Sequence, residues 1–96
     1  MRLRYTPRAR SDIAEIHHYI AQHNPRAATA AVRRIRSTCH LLASYPGIGR
    51  PTDISGVRVL LVGRYSYLVY DSIGAADLEI VHVRHGARAA PTRDEL

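Results

Sequence analysis

In the first half of the chain, apolar residues recur with the spacing of amphipathic helices. One stripe consists of Ala9, Ile13, Ile16 and Ile20, and a second consists of Ala28, Val32, Ile35, Cys39 and Leu42. At Thr6-Pro7 and again at Asn24-Pro25, a side chain that can cap a helix precedes a proline suited to the first helical position. Asp12 and Glu15 fall in the first turns, where acidic groups face the positive end of the helix dipole. The pattern predicts two helices joined by a tight connection, an antiparallel helical hairpin.

The second half is rich in β-branched and aromatic residues and predicts strands over residues 57–62, 65–72 and 78–84. Gly63-Arg64 predicts a tight hairpin turn, and residues 73–77 predict a longer one. Residues 2–6 predict a further short strand, and residues 45–51 predict a loop because they hold two prolines and two glycines. We therefore expect an α+β fold of order β-α-α-β-β-β, with the helical hairpin packed on one face of a mostly antiparallel sheet.

The predicted strands are apolar on both faces, most clearly over residues 57–62 and 67–70. An antiparallel sheet with one face in water alternates apolar and polar side chains. Because two short helices cover only one face, we expect the other to be an exposed apolar patch, which is typical of a partner surface. The alternative is a strongly coiled sheet that buries both faces on itself.

The length and charge of the chain narrow the class of protein. Its 96 residues are enough for one domain with a small core. We expect a single domain over residues 1–96, with a loose polar tail from about residue 87. The chain has 14 arginines, no lysine and a formal net charge of +6. Such a basic surface suits an acidic protein partner or a phosphate backbone.

Cysteine content and hydropathy indicate the compartment. Cys39 is the single cysteine, so it cannot form an internal disulfide, and its place on an apolar stripe indicates a small buried side chain. Residues 1–5 contain no hydrophobic signal region, and no apolar run is long enough to span a membrane. These features favour a cytoplasmic protein without a membrane partner.

Residue spacing argues against metal and nucleophilic chemistry. The neighbours His17 and His18 point about 100° apart on a helix. His82 and His85 lie three apart on a strand and therefore on opposite faces. No glycine-flanked serine elbow is present. The remaining carboxylates are expected in turns or on strand edges, and they are Asp53, Asp71, Asp77 and Glu79. We expect no metal, no cofactor and no convincing acid–base pair.

Basic and aromatic residues near the predicted strand ends are the remaining candidates for a site. They are Arg58, Arg64, Arg84, His85 and Arg88, together with Tyr65 and Tyr67 on one strand face. RNA cleavage by the 2′-hydroxyl needs an acid, a base and a cation. Arg58, Arg84 and His85 would therefore be the catalytic residues if the protein were a metal-independent endoribonuclease. Arginines at strand edges more often remain solvated or pair with an acidic partner.

Six motifs, in order along the chain, resemble the ParE branch of the RelE/ParE toxins of bacterial toxin–antitoxin modules. They are Ala9-x-x-Asp12-Ile13-x-x-Ile16-x-x-Tyr19-Ile20, Pro46-x-x-Gly49-Arg50, Gly56-Val57-Arg58, Val62-Gly63-Arg64-Tyr65, Val69-Tyr70 and Ile80-Val81-x-Val83-x-His85-Gly86-Ala87-Arg88. The resemblance covers about residues 5–88. It implies an α+β toxin that is neutralised by an antitoxin, and hence a hetero-oligomer of the two.

The resemblance also implies partners and a target. The antitoxin would be ParD-like, with a ribbon-helix-helix DNA-binding domain, so the toxin would meet DNA only indirectly. ParE-type members are known as inhibitors of DNA gyrase, whereas RelE-type members cut mRNA on the ribosome. The absence of lysine favours gyrase inhibition over the lysine-rich RelE site. A third possibility is an inactive module that acts only in operon co-repression. The expected partner-binding residues are Arg50, Arg58, Arg64, Tyr65, Tyr67, Arg84, His85 and Arg88.

Overall fold

The structure is a computed structural model that describes all residues, 1–96. Its helices are α1 (Pro7–Ala21) and α2 (Pro25–Ser44), and its strands are β1 (Arg2–Tyr5), β2 (Arg50–Pro51), β3 (Val57–Leu61), β4 (Tyr67–Ile73) and β5 (Asp77–His85). A short 3₁₀ turn, Arg93–Glu95, follows in the tail. The predicted α+β order is confirmed, with β2 added. Neither helix combines the length and the apolar character that crossing a membrane requires.

Both helices begin where the sequence predicts. The Thr6 side chain accepts a hydrogen bond from the backbone N–H of Ala9 at 3.1 Å. The Asn24 side chain accepts one from the N–H of Ala27, also at 3.1 Å. Each bond satisfies a backbone donor that has no partner within its helix. The two Pro-started helices are therefore separated by only a short turn and pack as a hairpin.

The five strands form one mixed sheet in the order β1-β5-β4-β3-β2. Strand β1 is parallel to β5, and the other three pairings are antiparallel. The prediction that residues 45–51 form only a loop is wrong at its end, because Arg50 pairs with Val59 and Pro51 with Arg58. A proline is tolerated there since β2 is an edge strand.

The connection between β3 and β4 is longer than the predicted two-residue turn. It spans residues 62–66, and its turn is closed by the N–H of Tyr65, which donates to the carbonyl of Val62 at 2.9 Å. Gly63 has a φ of +41°, a backbone conformation that residues with a side chain rarely adopt. The sequence located the turn correctly but not its length, because residues 62–66 all belong to the connection, at whose base the N–H of Val62 donates to the carbonyl of Tyr67 at 2.9 Å.

The main core lies between the helical hairpin and the sheet. Its buried residues are Ala9, Ile13, Ile35, Cys39, Leu42, Val62, Val69, Leu78, Ile80 and Val83. The helical members belong to the two apolar stripes, which confirms the predicted faces of both helices. Ile16 and Val32, which belong to the same stripes, are only partly buried against this core.

The opposite face of the sheet is also buried, so the predicted exposed apolar patch is wrong. Its four buried residues, here called the far-face cluster, are Val57, Val59, Tyr70 and Val81. Ile54 from the β2–β3 loop, Leu68 and Leu96 from the tail pack against them. A register shift between Tyr70 and Asp71 interrupts the β4–β5 ladder, and such bulges bend a sheet. No helix covers this face, and the bend in the sheet together with the β2–β3 loop and the tail buries it instead.

Candidate functional site

A cleft of about 490 Å³ lies between α1 and the segment that follows β5. Helix α1 contributes Glu15 and Tyr19, the ends of β4 and β5 contribute Tyr67 and His85, and Arg88 lies beyond them. The ring of Tyr19 is 69% exposed. Four predicted partner residues, Tyr67, Arg84, His85 and Arg88, therefore meet in one concave site. The α1 wall was missed by sequence reasoning, because nothing local distinguishes Tyr19 from a solvated tyrosine.

Arg84 holds the segment after β5 in shape. Its Nε donates to the hydroxyl of Tyr70 at 2.8 Å. Its Nη1 donates to the carbonyl of His85 at 3.2 Å and to that of Arg88. The guanidinium also lies over the Tyr70 ring, 5.7 Å from its centroid, a cation–π geometry. Most of the donor capacity of Arg84 is therefore used within the protein, and its main role here is structural.

His85 is fixed by its neighbours and remains exposed. Its Nδ1 accepts a hydrogen bond from the N–H of Ala87 at 3.0 Å. Its ring meets that of Tyr67 edge to face, with centroids 5.4 Å apart. Because Nδ1 accepts, a neutral His85 carries its proton on Nε2 and can donate from there. The cleft therefore offers an oriented donor beside an aromatic ring.

Asp12 makes several polar contacts at the inner wall of the cleft. The prediction that it lies in the first turn of the helix, at the positive end of the dipole, is wrong. Its Oδ2 accepts from Nδ1 of His82 at 2.6 Å and from the N–H of Val83 at 3.0 Å. Its Oδ1 accepts from Nε of Arg8 at 3.0 Å. Strand β1 pairs with β5 only as far as Ile80. Beyond this point β5 has no pairing with β1, and the Asp12 carboxylate gives the backbone N–H of Val83 a hydrogen-bond partner instead.

The contacts of Asp12 determine its ionisation. Burial raises the pKa of this carboxyl, but the hydrogen bonds from His82, Val83 and Arg8 outweigh burial, so the pKa lies below its ordinary value. The sequence offered no convincing acid–base pair, whereas the structure joins His82 and Asp12. However, they are only 6% and 8% exposed. Sequence reasoning missed this pair because its members are 70 positions apart.

The remaining predicted partner residues lie outside the cleft. Arg50 is exposed on β2, Arg64 is exposed in the β3–β4 connection, and Tyr65 is half-buried against the main core. Arg58 is half-buried, and its Nη1 donates to the carbonyl of Gly49 at 3.0 Å. The eight predicted residues are therefore spread over several regions of the surface.

Arg58 and Arg84 lie on opposite faces of the sheet. Arg84 pairs with Leu68, which packs against the far-face cluster. Arg58 pairs with Asp71, and Asp71 follows far-face Tyr70 along β4, so both point toward the helices. The three residues proposed for RNA cleavage are consequently not brought together as a group.

Asp71 was expected in a turn or on a strand edge, and that prediction is wrong. It lies on the central strand β4, is 1% exposed, and neither carboxylate oxygen has a hydrogen-bond partner. Burial raises the pKa of Asp71 to about 6, although the positive charge of Arg58 opposes the shift. The sequence did carry a signal of this burial, because Asp71 lies within an apolar β segment. A charged side chain inside a sheet is seldom reached by water.

The cleft is lined by side chains that are typical of protein–protein contacts. It presents the exposed ring of Tyr19, the Tyr67–His85 pair and the guanidinium of Arg88. Aromatic residues and arginine are the side chains most enriched at the centres of protein interfaces. The buried Asp12–His82 pair lies at its inner wall, where its known hydrogen bonds are all within the protein.

Comparisons with known proteins identify the family. The family model described as ParE toxin of type II toxin-antitoxin system, parDE, matches residues 3–90. A protein of Sinorhizobium fredii named "Putative toxin Y4kP" is 37% identical over 90 residues, which are 94% of this chain and 93% of that protein. Toxin RelE2 of Caulobacter vibrioides is 33% identical over 84 residues, covering 88% of this chain and 93% of its own.

A solved structure shares the architecture. A chain of the "Chromosomal ParDE TA system from P. aeruginosa" superposes with a TM-score of 0.78 and 27% identity, over 88% of this chain and 95% of that one. The fold and these matches define a toxin of a type II toxin–antitoxin system. The chain belongs to the ParE toxin family, which confirms the resemblance inferred from the sequence motifs.

Proposed function

We propose that this toxin inhibits DNA gyrase by protein binding, and that a ParD-like antitoxin with a ribbon-helix-helix domain neutralises it. The resemblance to the ParE branch supports gyrase as the target. The structure of the "Chromosomal ParDE TA system from P. aeruginosa" supports an antitoxin of the ParD kind. The net charge of +6 favours an acidic antitoxin. The cytoplasm, where gyrase and the antitoxin occur, is the proposed location.

One observation favours protein binding over RNA cleavage. Arg58 lies on the helix side of the sheet, Arg84 lies on the far side, and the Arg84 guanidinium is engaged by carbonyls and by Tyr70. A phosphorane-stabilising cation and an acid–base group have to converge on one phosphate. The cleft instead offers aromatic rings and Arg88, which are contact residues.

A ribosome-dependent mRNA interferase is the second candidate, and the Asp12–His82 pair favours it. A histidine oriented by a carboxylate is a common general base, and His82 lies at the wall of the same cleft as Arg84 and Arg88. The relative named Toxin RelE2 also supports this candidate. In this case His82, rather than Arg58, would join Arg84 and His85 in the reaction. An inactive module confined to operon co-repression is the third candidate.

The decisive experiment assays one toxin preparation in two ways. We expect it to block gyrase supercoiling and to leave ribosome-bound mRNA intact by primer extension. Arg88→Ala removes an exposed cation of the cleft, and we expect gyrase inhibition to weaken roughly tenfold, the effect of losing one strong interface contact. The matched control is Arg26→Ala, which removes an exposed arginine of α2 outside the cleft.

Two results would contradict the proposal. Equal losses of inhibition for the Arg88 and Arg26 variants would indicate that gyrase contacts some other surface. Discrete mRNA cleavage in the ribosomal A site, with supercoiling untouched, would establish the interferase. His85→Ala should then lower the cleavage rate by about 10²–10⁴, the usual contribution of a general acid or base.

A further inference from the structure

A second groove, of about 610 Å³, lies between the two helices and shares no lining residue with the cleft. Arg10 and His17 line it from α1, Arg36 lines it from α2, and Tyr5 lines it from β1. The side chains of Arg10, His17 and Arg36 are exposed. We call this feature the hairpin groove, and its accessible polar groups come from both helices.

The two arginines of the hairpin groove have no acidic partner. The ion pairs of the protein join Arg4 to Asp77 and Asp12 to Arg8 and His82, and neither Arg10 nor Arg36 takes part in one. The guanidinium of Arg36 lies over the ring of Tyr5, 5.5 Å from its centroid. This cation–π contact orders the side chain but leaves its charge without a counter-ion.

The hairpin groove carries charge of one sign because the helices contain few acids. Asp12 and Glu15 are the only acidic residues of the two helices. Asp12 is buried, and both residues line the cleft rather than the hairpin groove. A groove lined by cations alone concentrates anions.

The arrangement of these groups indicates an extended anion. Arg10 and His17 are seven residues apart on α1, so they lie about 10 Å apart along the same side of the helix. On α2, the exposed Arg33 precedes Arg36 by one turn. The polar groups thus follow both walls instead of converging on one point. Such a track suits the repeating charges of a phosphate backbone better than it suits a single carboxylate.

The hairpin groove also lacks the side chains that anchor protein partners. None of the exposed large apolar residues of the protein lines it, and the exposed Tyr19 of α1 belongs to the cleft. Protein interfaces centre on such anchors, whereas contacts to DNA phosphates come largely from arginine, lysine and polar side chains. The hairpin groove therefore fits nucleic acid better than an acidic protein.

We propose that the hairpin groove contacts the phosphate backbone of the operator DNA to which the antitoxin is bound. This inference rests on the proposed function, in which the antitoxin has a ribbon-helix-helix DNA-binding domain. A contact to phosphates alone is independent of sequence and weak, with a dissociation constant of roughly 10⁻⁴–10⁻⁶ M. It becomes effective once the antitoxin holds the toxin beside the duplex, because the second contact is then intramolecular.

The first test measures binding of the toxin alone to a fluorescent DNA duplex of arbitrary sequence, by anisotropy at several salt concentrations. Arg10→Ala combined with Arg36→Ala removes both groove arginines. Each lost phosphate contact lowers the slope of log affinity against log salt by about 0.9. We therefore expect the slope to fall by about two, and the affinity at about 0.1 M salt to fall roughly tenfold or more.

Two matched variants separate the site from overall charge. Arg2→Ala combined with Arg93→Ala removes the same net charge at exposed positions outside the hairpin groove, and we expect it to change the slope far less. Arg10→Lys combined with Arg36→Lys keeps both charges, and we expect it to retain most of the slope. Equal slopes for the two alanine pairs would overturn the hairpin groove as a DNA contact.

The second test uses the toxin–antitoxin complex on its operator duplex. We expect the groove alanine pair to weaken DNA binding by the complex about tenfold, while the affinity of toxin for antitoxin stays unchanged. Unchanged operator binding would overturn the operator as the occupant. A loss of antitoxin affinity in place of DNA affinity would assign the groove to an acidic protein and overturn the proposal. If the antitoxin does not bind DNA at all, that part of the proposed function fails, and the first test still decides whether the groove binds phosphates.

Discussion

Two carboxylates of this toxin are buried, and their surroundings shift their pKa values in opposite directions. Asp12 accepts hydrogen bonds from three donors, which lower its pKa despite burial. Asp71 has no hydrogen-bond partner, and burial raises its pKa. A buried carboxylate is tolerated when donors replace its hydration and is costly when they do not. Asp12 therefore stabilises the fold at neutral pH, whereas Asp71 weakens it.

Asp71 predicts an unusual pH dependence of stability. Its pKa is about 6 in the fold, above the ordinary aspartate value of 3.8, so the folded chain binds this proton more tightly than the unfolded chain. The stabilisation is complete below pH 3.8 and is lost as the pH rises through about 6. The loss is about 3 kcal/mol, which corresponds to a shift of about two pKa units.

Asp71→Asn removes this titration. We expect the free energy of unfolding of the variant, measured with denaturant, to change far less between pH 4 and 7 than that of the parent, and to exceed it at pH 8. Asp77→Asn is the control, because Asp77 is partly exposed and pairs with Arg4 at 3.6 Å; such pairs contribute about 0–1 kcal/mol. Parallel pH profiles for the parent and the Asp71 variant would contradict the assignment.

At the scale of elements, the two helices contribute unequally to the core. Helix α2 has seven buried residues, of which Ile35, Cys39 and Leu42 belong to the main core. Helix α1 has three, and one of them is the carboxylate of Asp12. The outer part of α1 borders the cleft instead, with Ile16 only partly buried. Helix α1 therefore contributes less to the core than α2 and lines the cleft that we propose as a binding surface.

Ile35→Ala tests this division. Ile35 is fully buried, so its truncation should lower the free energy of unfolding by about 2–5 kcal/mol through lost burial and a cavity. Ile16→Ala should cost clearly less, because part of that side chain already faces the cleft. Denaturant unfolding of both variants beside the parent provides the measurement. Equal losses at the two positions would show that the cleft wall is packed as tightly as the core.

Much of this element structure could be predicted from the sequence. The Pro-started helices follow from local caps and from the apolar spacing of Ala9, Ile13, Ile35 and Leu42. The strands follow from β-branched composition, within one or two residues at each end. Strand β2 escaped prediction because two residues with a proline carry no periodic signal, and only the partner strand β3 defines them.

At the scale of the whole molecule, charge is the dominant surface property. The chain carries 14 arginines against 8 acidic residues, and three of the acidic residues, Asp12, Asp71 and Asp77, are buried or paired. Two of these pair with arginines, Asp12 with Arg8 and Asp77 with Arg4, and the charge that remains on the surface is predominantly basic. A basic surface accelerates encounter with an acidic partner, and salt weakens this effect.

This excess predicts a salt-dependent association with the antitoxin. Between about 50 mM and 500 mM salt, we expect the association rate constant to fall roughly tenfold or more, while the dissociation rate constant changes less. Stopped-flow mixing of toxin and antitoxin at several salt concentrations measures both. Uncharged sucrose at matched viscosity serves as the control. An association rate constant that does not change with salt concentration would indicate that apolar contacts alone guide the encounter.

The sequence by itself determined the features that arise within a few residues of each other. Helix periodicity, caps, β propensity and the ordered motifs of the ParE family are local patterns, so the α+β order, the helix faces and the family were predictable. Several predicted site residues also meet at the cleft because they are close along the chain or lie on strands joined by a short turn. Residues 84–88 are neighbours along one strand exit, and β4 pairing brings Tyr67 to His85.

Only the tertiary structure decided how distant segments meet. The burial of the far face depends on Ile54 and Leu96, which reach it from a loop and from the tail. The Asp12–His82 pair joins residues 70 positions apart, and strand register places Arg58 and Arg84 on opposite faces. Such contacts depend on register, sheet bending and docking of irregular segments, and no local periodicity encodes these long-range arrangements.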